Sequence, residues 1–249
     1  MIILDDVDQL DQLTALVGSH YWFGEGSRII ITTRDENLLN AHRVDVIHHI
    51  SLLNKQEAIK LFHKHANQDY KPKEDFEQLQ EEVVSYAGGL PLALTVLGCF
   101  LCDKNIGQWR SALARLKDIP DEDIIGKLKI SFDGLKLVEK KLFLDIACLF
   151  RWKDTRHAMK LFDACGFHSL IGVEVLRQKA LITISKGGWF DMHDLVQEMA
   201  HFIVREKHPK HPEKHSRVWK SEEIHRILDM VATVVMINLS FHVSVCVYV

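Results

Sequence analysis

Three short apolar runs open the chain, and each is closed by polar residues. Ile2-Ile3-Leu4 ends in Asp5-Asp6, Ile29-Ile30-Ile31 ends in Thr32-Thr33-Arg34, and Val46 to Ile50 forms a third candidate strand. Between the first two, Leu10, Leu13, Leu16 and Val17 recur at helical spacing. Strand, helix, strand with continuous apolar strands predicts a parallel sheet covered on both faces. The right-handed crossover then points both strands the same way. Asp5-Asp6 and Thr33-Arg34 should therefore leave the sheet at its carboxyl edge, where open α/β sheets bind ligands.

From Asn54 to Pro120 the pattern turns helical. Helices are predicted over 55–65 and 74–87, the second stopped by Gly88-Gly89, since glycine accepts the left-handed cap conformation. Pro91 sits where a first helical turn tolerates proline, ahead of Leu92, Leu94, Val96 and Leu97. Trp109, Leu113 and Leu116 anchor a fourth helix. Pro120 and Asp121-Glu122-Asp123 mark a boundary. Helices follow near 124–135, 139–150 and 170–179, then a hairpin from Leu181 to Met192 turning at Lys186-Gly187-Gly188, then a helix from about Asp194. Three helices and a two-stranded wing read as a winged-helix domain. His208 to Arg217 reads as a solvated linker, so its histidines are not metal ligands. The tail from Val231 to Val249 alternates apolar and polar residues, which predicts a half-buried strand and excludes a bilayer helix.

The chain of 249 residues is 47% hydrophobic and 26% charged, with a net charge of −3. That size suits two or three small domains, and the charge lacks the basic surplus of a general nucleic-acid binder. The helix near Gly172 to Lys179, with Arg177 and Lys179 but also Glu174, offers no basic stripe to a groove. Five cysteines with apolar neighbours predict a reduced, intracellular setting. Cys99 and Cys102 form a CxxC within an apolar helical run and read as small buried hydrophobes.

The candidate chemistry sits at the strand ends. A carboxylate there can hold Mg²⁺ directly or through water, which makes Asp5 the candidate metal partner and Asp6 the candidate base or water-positioning group. Alone, the acid pair is a weak signal that more often marks a turn of acidic residues after a core strand. Arg34 at the neighbouring strand end adds a guanidinium fork suited to a terminal phosphate. Gly88-Gly89-Leu90-Pro91-Leu92 suits either a helix corner or an apolar ledge for an adenine ring. His193, at a helix start with Asp194 as cap or first-turn acid, can donate to a phosphate oxygen.

These residues arrive in a recognisable order. Ile2-Ile3-Leu4-Asp5-Asp6-Val7-Asp8 resembles the Walker B (kinase-2) motif of plant nucleotide-binding, leucine-rich-repeat resistance proteins. Asp8 is similar to the branch with a Toll/interleukin-receptor-like amino-terminal domain. Gly26 to Asp35 resembles the next motif, Gly89 to Leu94 the GLPLAL signature, Phe143 to Cys148 a branch-typical block, and Met192-His193-Asp194 the MHD motif.

The resemblance implies an α/β plus α protein. A partial P-loop-type parallel sheet would occupy residues 1–52, a helical-bundle subdomain 53–120 and a winged-helix subdomain 121–207. Residues 208–249 would form a linker and a strand leading toward repeats, with Val234 to Phe241 as that strand. It further implies an ADP/ATP switch in defence signalling, with Arg34, Pro91, Leu92 and His193 on the nucleotide and Asp5 and Asp6 on Mg²⁺. No residue is expected to be catalytic. A glycine-rich phosphate loop does not occur in the sequence, so nucleotide binding is expected to be weak or absent. The alternative is an interaction module that associates with intact resistance proteins without nucleotide. Other resistance-protein chains or signalling proteins are the expected partners, with no membrane and no specific nucleic acid. The expected location is the cytoplasm or nucleus.

Overall fold

The computed structural model describes residues 1–66, 74–118 and 120–237. Strand β1 (Ile2–Val7) runs parallel to β2 (Ile29–Thr33), joined by helix α1 (Leu10–Val17). Helix α2 (Glu36–His42) follows β2, with Asp35 as its N-cap accepting from the Asn37 N–H. Leu4, Ile29 and Ile31 pack with buried Val7, Leu13, Val17 and Leu38. The opposite face holds Ile3 and Ile30, 58% and 47% exposed, so the sheet is covered on one face and not on both. Both α1 and α2 pack on the same side, which is why alternate isoleucines end in water. The third candidate strand does not form: residues 46–50 carry no ladder, and Val46 and Ile50 are exposed. Apolar content alone cannot make a strand without a neighbour to take its backbone hydrogen bonds.

The second packed cluster is helical. Helices α3 (Lys55–Ala66), α4 (Glu74–Ala87), α5 (Pro91–Leu101) and α6 (Ile106–Asp118) enclose Phe62, Val83, Leu94, Leu97 and Trp109. Trp109 meets Phe62 edge-on, and its indole N–H donates to the Leu101 carbonyl at 3.1 Å, so its one polar atom is satisfied inside the core. Asp121 caps α7 (Glu122–Asp133), accepting from the Asp123 and Ile124 N–H groups.

The third cluster gathers α8 (Leu137–Asp145), which continues as a π-helical turn over Ile146–Phe150, with α9 (Thr155–Ala164) and α10 (Ser169–Gln178). Antiparallel β3 (Thr183–Ile184) and β4 (Phe190–Asp191) form the short wing, and α11 (Asp194–Arg205) lies against the π turn. Helix α9 has no counterpart in the sequence reading.

Two expectations for the carboxyl-terminal stretch are corrected. Residues 208–219 are not a solvated linker but a strap on this third cluster. Arg217 pairs with Asp145 at 2.7 Å and donates to the Lys141 carbonyl at 3.0 Å, Pro212 is buried, and Trp219 stacks on His201 at 4.0 Å. The tail is helical through α12 (Ser221–Ile237), not a strand. Residues 238–249, including the second half of the expected strand at 234–241, lie outside the described residues.

The CxxC is also corrected. Cys99 is exposed at 3.9 Å from His65 Nδ1 and Cys102 is half-buried, because the helical spacing carries this edge of α5 past the core. Among the described residues Cys148 is the buried thiol, its pKa pushed up to about 12 by that burial. Among the described residues no helix is long and apolar enough to cross a membrane.

Candidate functional site

The strand-end acids and Arg34 do come together. A β-bulge between Leu4 and Val7 gives β1 one extra residue, and Asp6 takes up the slack at φ 52°. Asparagine and aspartate tolerate that left-handed conformation better than other side chains, and a bulge re-aims the residue it inserts. Asp6 thereby meets the Arg34 fork, with Nε at 3.1 Å and Nη2 at 3.2 Å. Asp5 instead accepts from the Thr32 hydroxyl, while that same oxygen receives the Asp6 N–H at 2.8 Å. Thr32 thus knits the two strand ends, a role that Thr32-Thr33 did not announce in the sequence. Asp6 and Arg34 are both largely exposed, so their pairing adds little stability and is readily exchanged for another charged partner.

A second grouping forms around the double glycine. Helix α4 ends at Gly88 (φ 55°), Gly89 follows at φ 76°, and Pro91 opens α5 at its first position. The Gly89 carbonyl accepts the Leu53 N–H at 3.0 Å, which ties the corner to the chain entering α3. Into the corner comes His193, the N-cap of α11. Its Nδ1 accepts the Leu195 N–H at 3.1 Å, which fixes the proton on Nε2. That Nε2–H donates to the Gly88 carbonyl at 3.2 Å across 105 positions of sequence. The imidazole is the cap, and Asp194 is the first-turn acid, as one of the two sequence alternatives had it. A methyl group at Gly88 would lie 2.8 Å from His193 Nε2, so the glycine is required by the histidine as well as by its own φ. Pro91 stands exposed beside this contact and Leu92 half-buried.

Two further contacts tie α10 and α11 to the elements that carry these groupings, and no contact brings the strand-end residues directly to the corner among the described residues. Lys179, just past α10, reaches Asp35 at 2.6 Å, next to Arg34, with both side chains mostly sheltered. Tyr86 on α4 donates to Glu198 on α11 at 2.8 Å. Burial pushes the Glu198 carboxyl up and the Tyr86 phenol up, while the hydrogen bond from Tyr86 holds the Glu198 carboxyl down against that burial. Sequence reasoning missed Lys179, Tyr86 and Glu198, since nothing local marks residues whose partners lie on other helices. Arg177 pairs with Glu174 at 3.0 Å on its own helix, and Lys179 with Asp35.

Among the described residues no cluster of three or more acids, histidines or cysteines is arranged to hold a metal. Asp5 and Asp6 still suit Mg²⁺, which binds through one or two carboxylates and takes its other oxygens from phosphate and water. A separate open groove on α4 and α6, lined by Gln78, Glu81, Glu82, Ser85, Tyr86, Leu113 and Leu116, contains none of the sequence-predicted site residues.

Residues 1–71 match the NB-ARC domain family, and residues 136–208 match the winged-helix domain of Roq1-like disease resistance proteins. The chain is 45% identical over 227 residues to disease resistance protein RUN1 of Vitis rotundifolia, which covers 91% of this chain and 17% of that protein. It is 41% identical over 229 residues to TMV resistance protein N of Nicotiana glutinosa, covering 92% of this chain and 20% of the relative. To disease resistance-like protein DSC2 of Arabidopsis thaliana it is 37% identical over 245 residues, with 98% and 20% covered. The chain therefore spans a fifth or less of the length of these relatives.

Proposed function

We infer that this chain, a member of the plant NB-ARC disease resistance proteins, is part of a nucleotide-operated switch in an immune receptor. The observation that carries the inference is the His193 contact with Gly88, which ties the start of α11 to the corner that opens on Pro91 and Leu92. A histidine that donates from Nε2 at that place can exchange a carbonyl for a phosphate oxygen with no change of tautomer. Arg34, now spent on exposed Asp6, is a cation held by a weak partner and free to turn to a phosphate. Pro91 and Leu92 supply the apolar ledge for adenine, and Asp5 and Asp6 the oxygen ligands for Mg²⁺. ADP or ATP bound there would bridge residues 1–52, 53–120 and 121–207, and so set how those subdomains sit together. In this reading nucleotide binding, not turnover, is the working event, and no residue of this chain is assigned to catalysis.

The test is a titration of the ¹⁵N-labelled chain with ADP and Mg²⁺ to millimolar concentration, followed by NMR. Weak binding is expected to shift the His193 ring, the Arg34 Nε–H and the Gly88–Leu92 amides together, with one apparent dissociation constant. Shifts confined to other surfaces, or none at these residues, would overturn the inference.

A further inference from the structure

We propose that Arg151 is the positioning residue for His193: its guanidinium fork fixes the turn that delivers the imidazole to the Gly88–Gly89 corner. The functional weight of that role rests on the nucleotide reading above, but the positioning itself does not.

Arg151 follows the π-helical turn Ile146–Phe150, and its side chain is only 12% exposed. Three acceptors converge on it. Asp191 takes Nε at 3.2 Å, Asp194 takes Nη2 at 2.7 Å, and the Gln197 amide oxygen takes Nη1. Asp191 and Asp194 are the residues immediately bracketing Met192-His193, so one rigid plane grips both ends of that dipeptide. Asp191 also accepts the Met192 N–H at 2.7 Å, which leaves this turn little freedom. Gln197 passes the link onward, donating to the Ala147 carbonyl at 2.8 Å inside the π turn. The Trp152 ring lies against the guanidinium at 4.8 Å, and the Trp152 N–H donates to the Phe190 carbonyl at 2.8 Å. Arginine, wing strand and helix start are therefore fastened as one piece.

The chemistry requires arginine. Three acceptors lie in different directions around one plane, a pattern that a fork with five N–H donors serves and a lysine ammonium does not. Without the cation, Asp191 and Asp194 are two like charges left facing one vacated space, and the turn between them opens. His193 depends on that turn twice over, through the Leu195 N–H that holds Nδ1 and through the aim of Nε2 at Gly88.

Long-range ¹H–¹⁵N correlation of the imidazoles in the whole chain tests this directly. The wild-type His193 ring should show one neutral tautomer with the proton on Nε2. Arg151→Gln should give a folded chain whose His193 nitrogens move toward tautomer averaging, and Arg151→Lys should fall between. Arg156→Gln removes an exposed arginine that pairs with Asp154 in its own helix cap, and should leave His193 unchanged. If Arg151→Gln does not fold, Asp191→Asn and Asp194→Asn each weaken one contact of the fork with Arg151 kept. Averaging in either supports the proposal, and an unaltered His193 signal in both overturns it. An unaltered His193 in folded Arg151→Gln overturns it equally. A wild-type chain that ignores ADP would remove the nucleotide reading alone and leave the positioning role standing.

Discussion

Gly88→Ala is the sharpest perturbation of the corner, because two separate costs meet at one methyl group. The residue sits at φ 55°, where an L side chain costs about 1–2 kcal/mol. The added Cβ would lie 2.8 Å from His193 Nε2 and 3.0 Å from Cε1, so the ring must leave and its bond to the Gly88 carbonyl is lost, about 1 kcal/mol more. Alanine returns about 0.4–1 kcal/mol by restricting the unfolded chain, so the net loss should be about 1–2.5 kcal/mol. The two costs separate in a double-mutant cycle with His193→Ala. Once the imidazole is gone, Gly88→Ala costs only its backbone strain, and the coupling should be about 1 kcal/mol. Urea unfolding of all four proteins, followed by tryptophan fluorescence, measures it. Additivity within about 0.3 kcal/mol would show that ring and glycine do not depend on each other, and the geometry argued for the corner would be wrong.

Three other outcomes are expected. Burial, with Arg205, Lys220 and Arg151 nearby, lowers the His201 pKa to about 4. The unfolded chain therefore takes up this proton first, and stability is complete above about pH 6.5 and falls by about 3 kcal/mol toward pH 4. His201→Phe, which keeps the stack on Trp219, should flatten that part of a pH–denaturation profile. Arg217→Ala leaves the mostly buried Asp145 without its cation, at a cost of about 3 kcal/mol. The strap should then become sensitive to trypsin at Lys210 and Lys214, with Asp145→Asn in addition restoring part of the resistance. Tyr86→Phe removes the hydrogen bond that holds the raised Glu198 carboxyl down, and should cost about 1–2 kcal/mol near neutral pH. A carboxyl with a raised folded pKa loses its stabilising proton as pH rises, so the penalty should shrink on acidification. A penalty that grew toward acid would refute this account.

Much of the fold was legible because it is written in local preferences. Helix α4 ends where Gly88-Gly89 ends it, α5 starts on its proline, and Asp121 caps the helix it precedes. The parallel pairing of β1 with β2 followed from two apolar runs and the handedness of a crossover. Those features depend on backbone conformations and side-chain hydrogen bonds within a few residues, which sequence spacing records. In two places where the spacing was read wrongly, the missing quantity was a distant partner. Val46 to Ile50 has strand-like residues and no neighbouring strand. The segment from His208 is polar enough to be solvated, yet Arg217 finds Asp145 across 72 positions and Trp219 finds His201. At the proposed site, the sequence singles out Asp5, Asp6, Arg34, Pro91, Leu92 and His193 for their chemistry alone. That Asp6 would occupy Arg34, that the Gly88 carbonyl would take the His193 proton, and that Arg151 would hold His193 in place came only from packing. A side chain's chemistry is local, but the group it faces is decided by which helices bury one another, and that is a property of the whole chain.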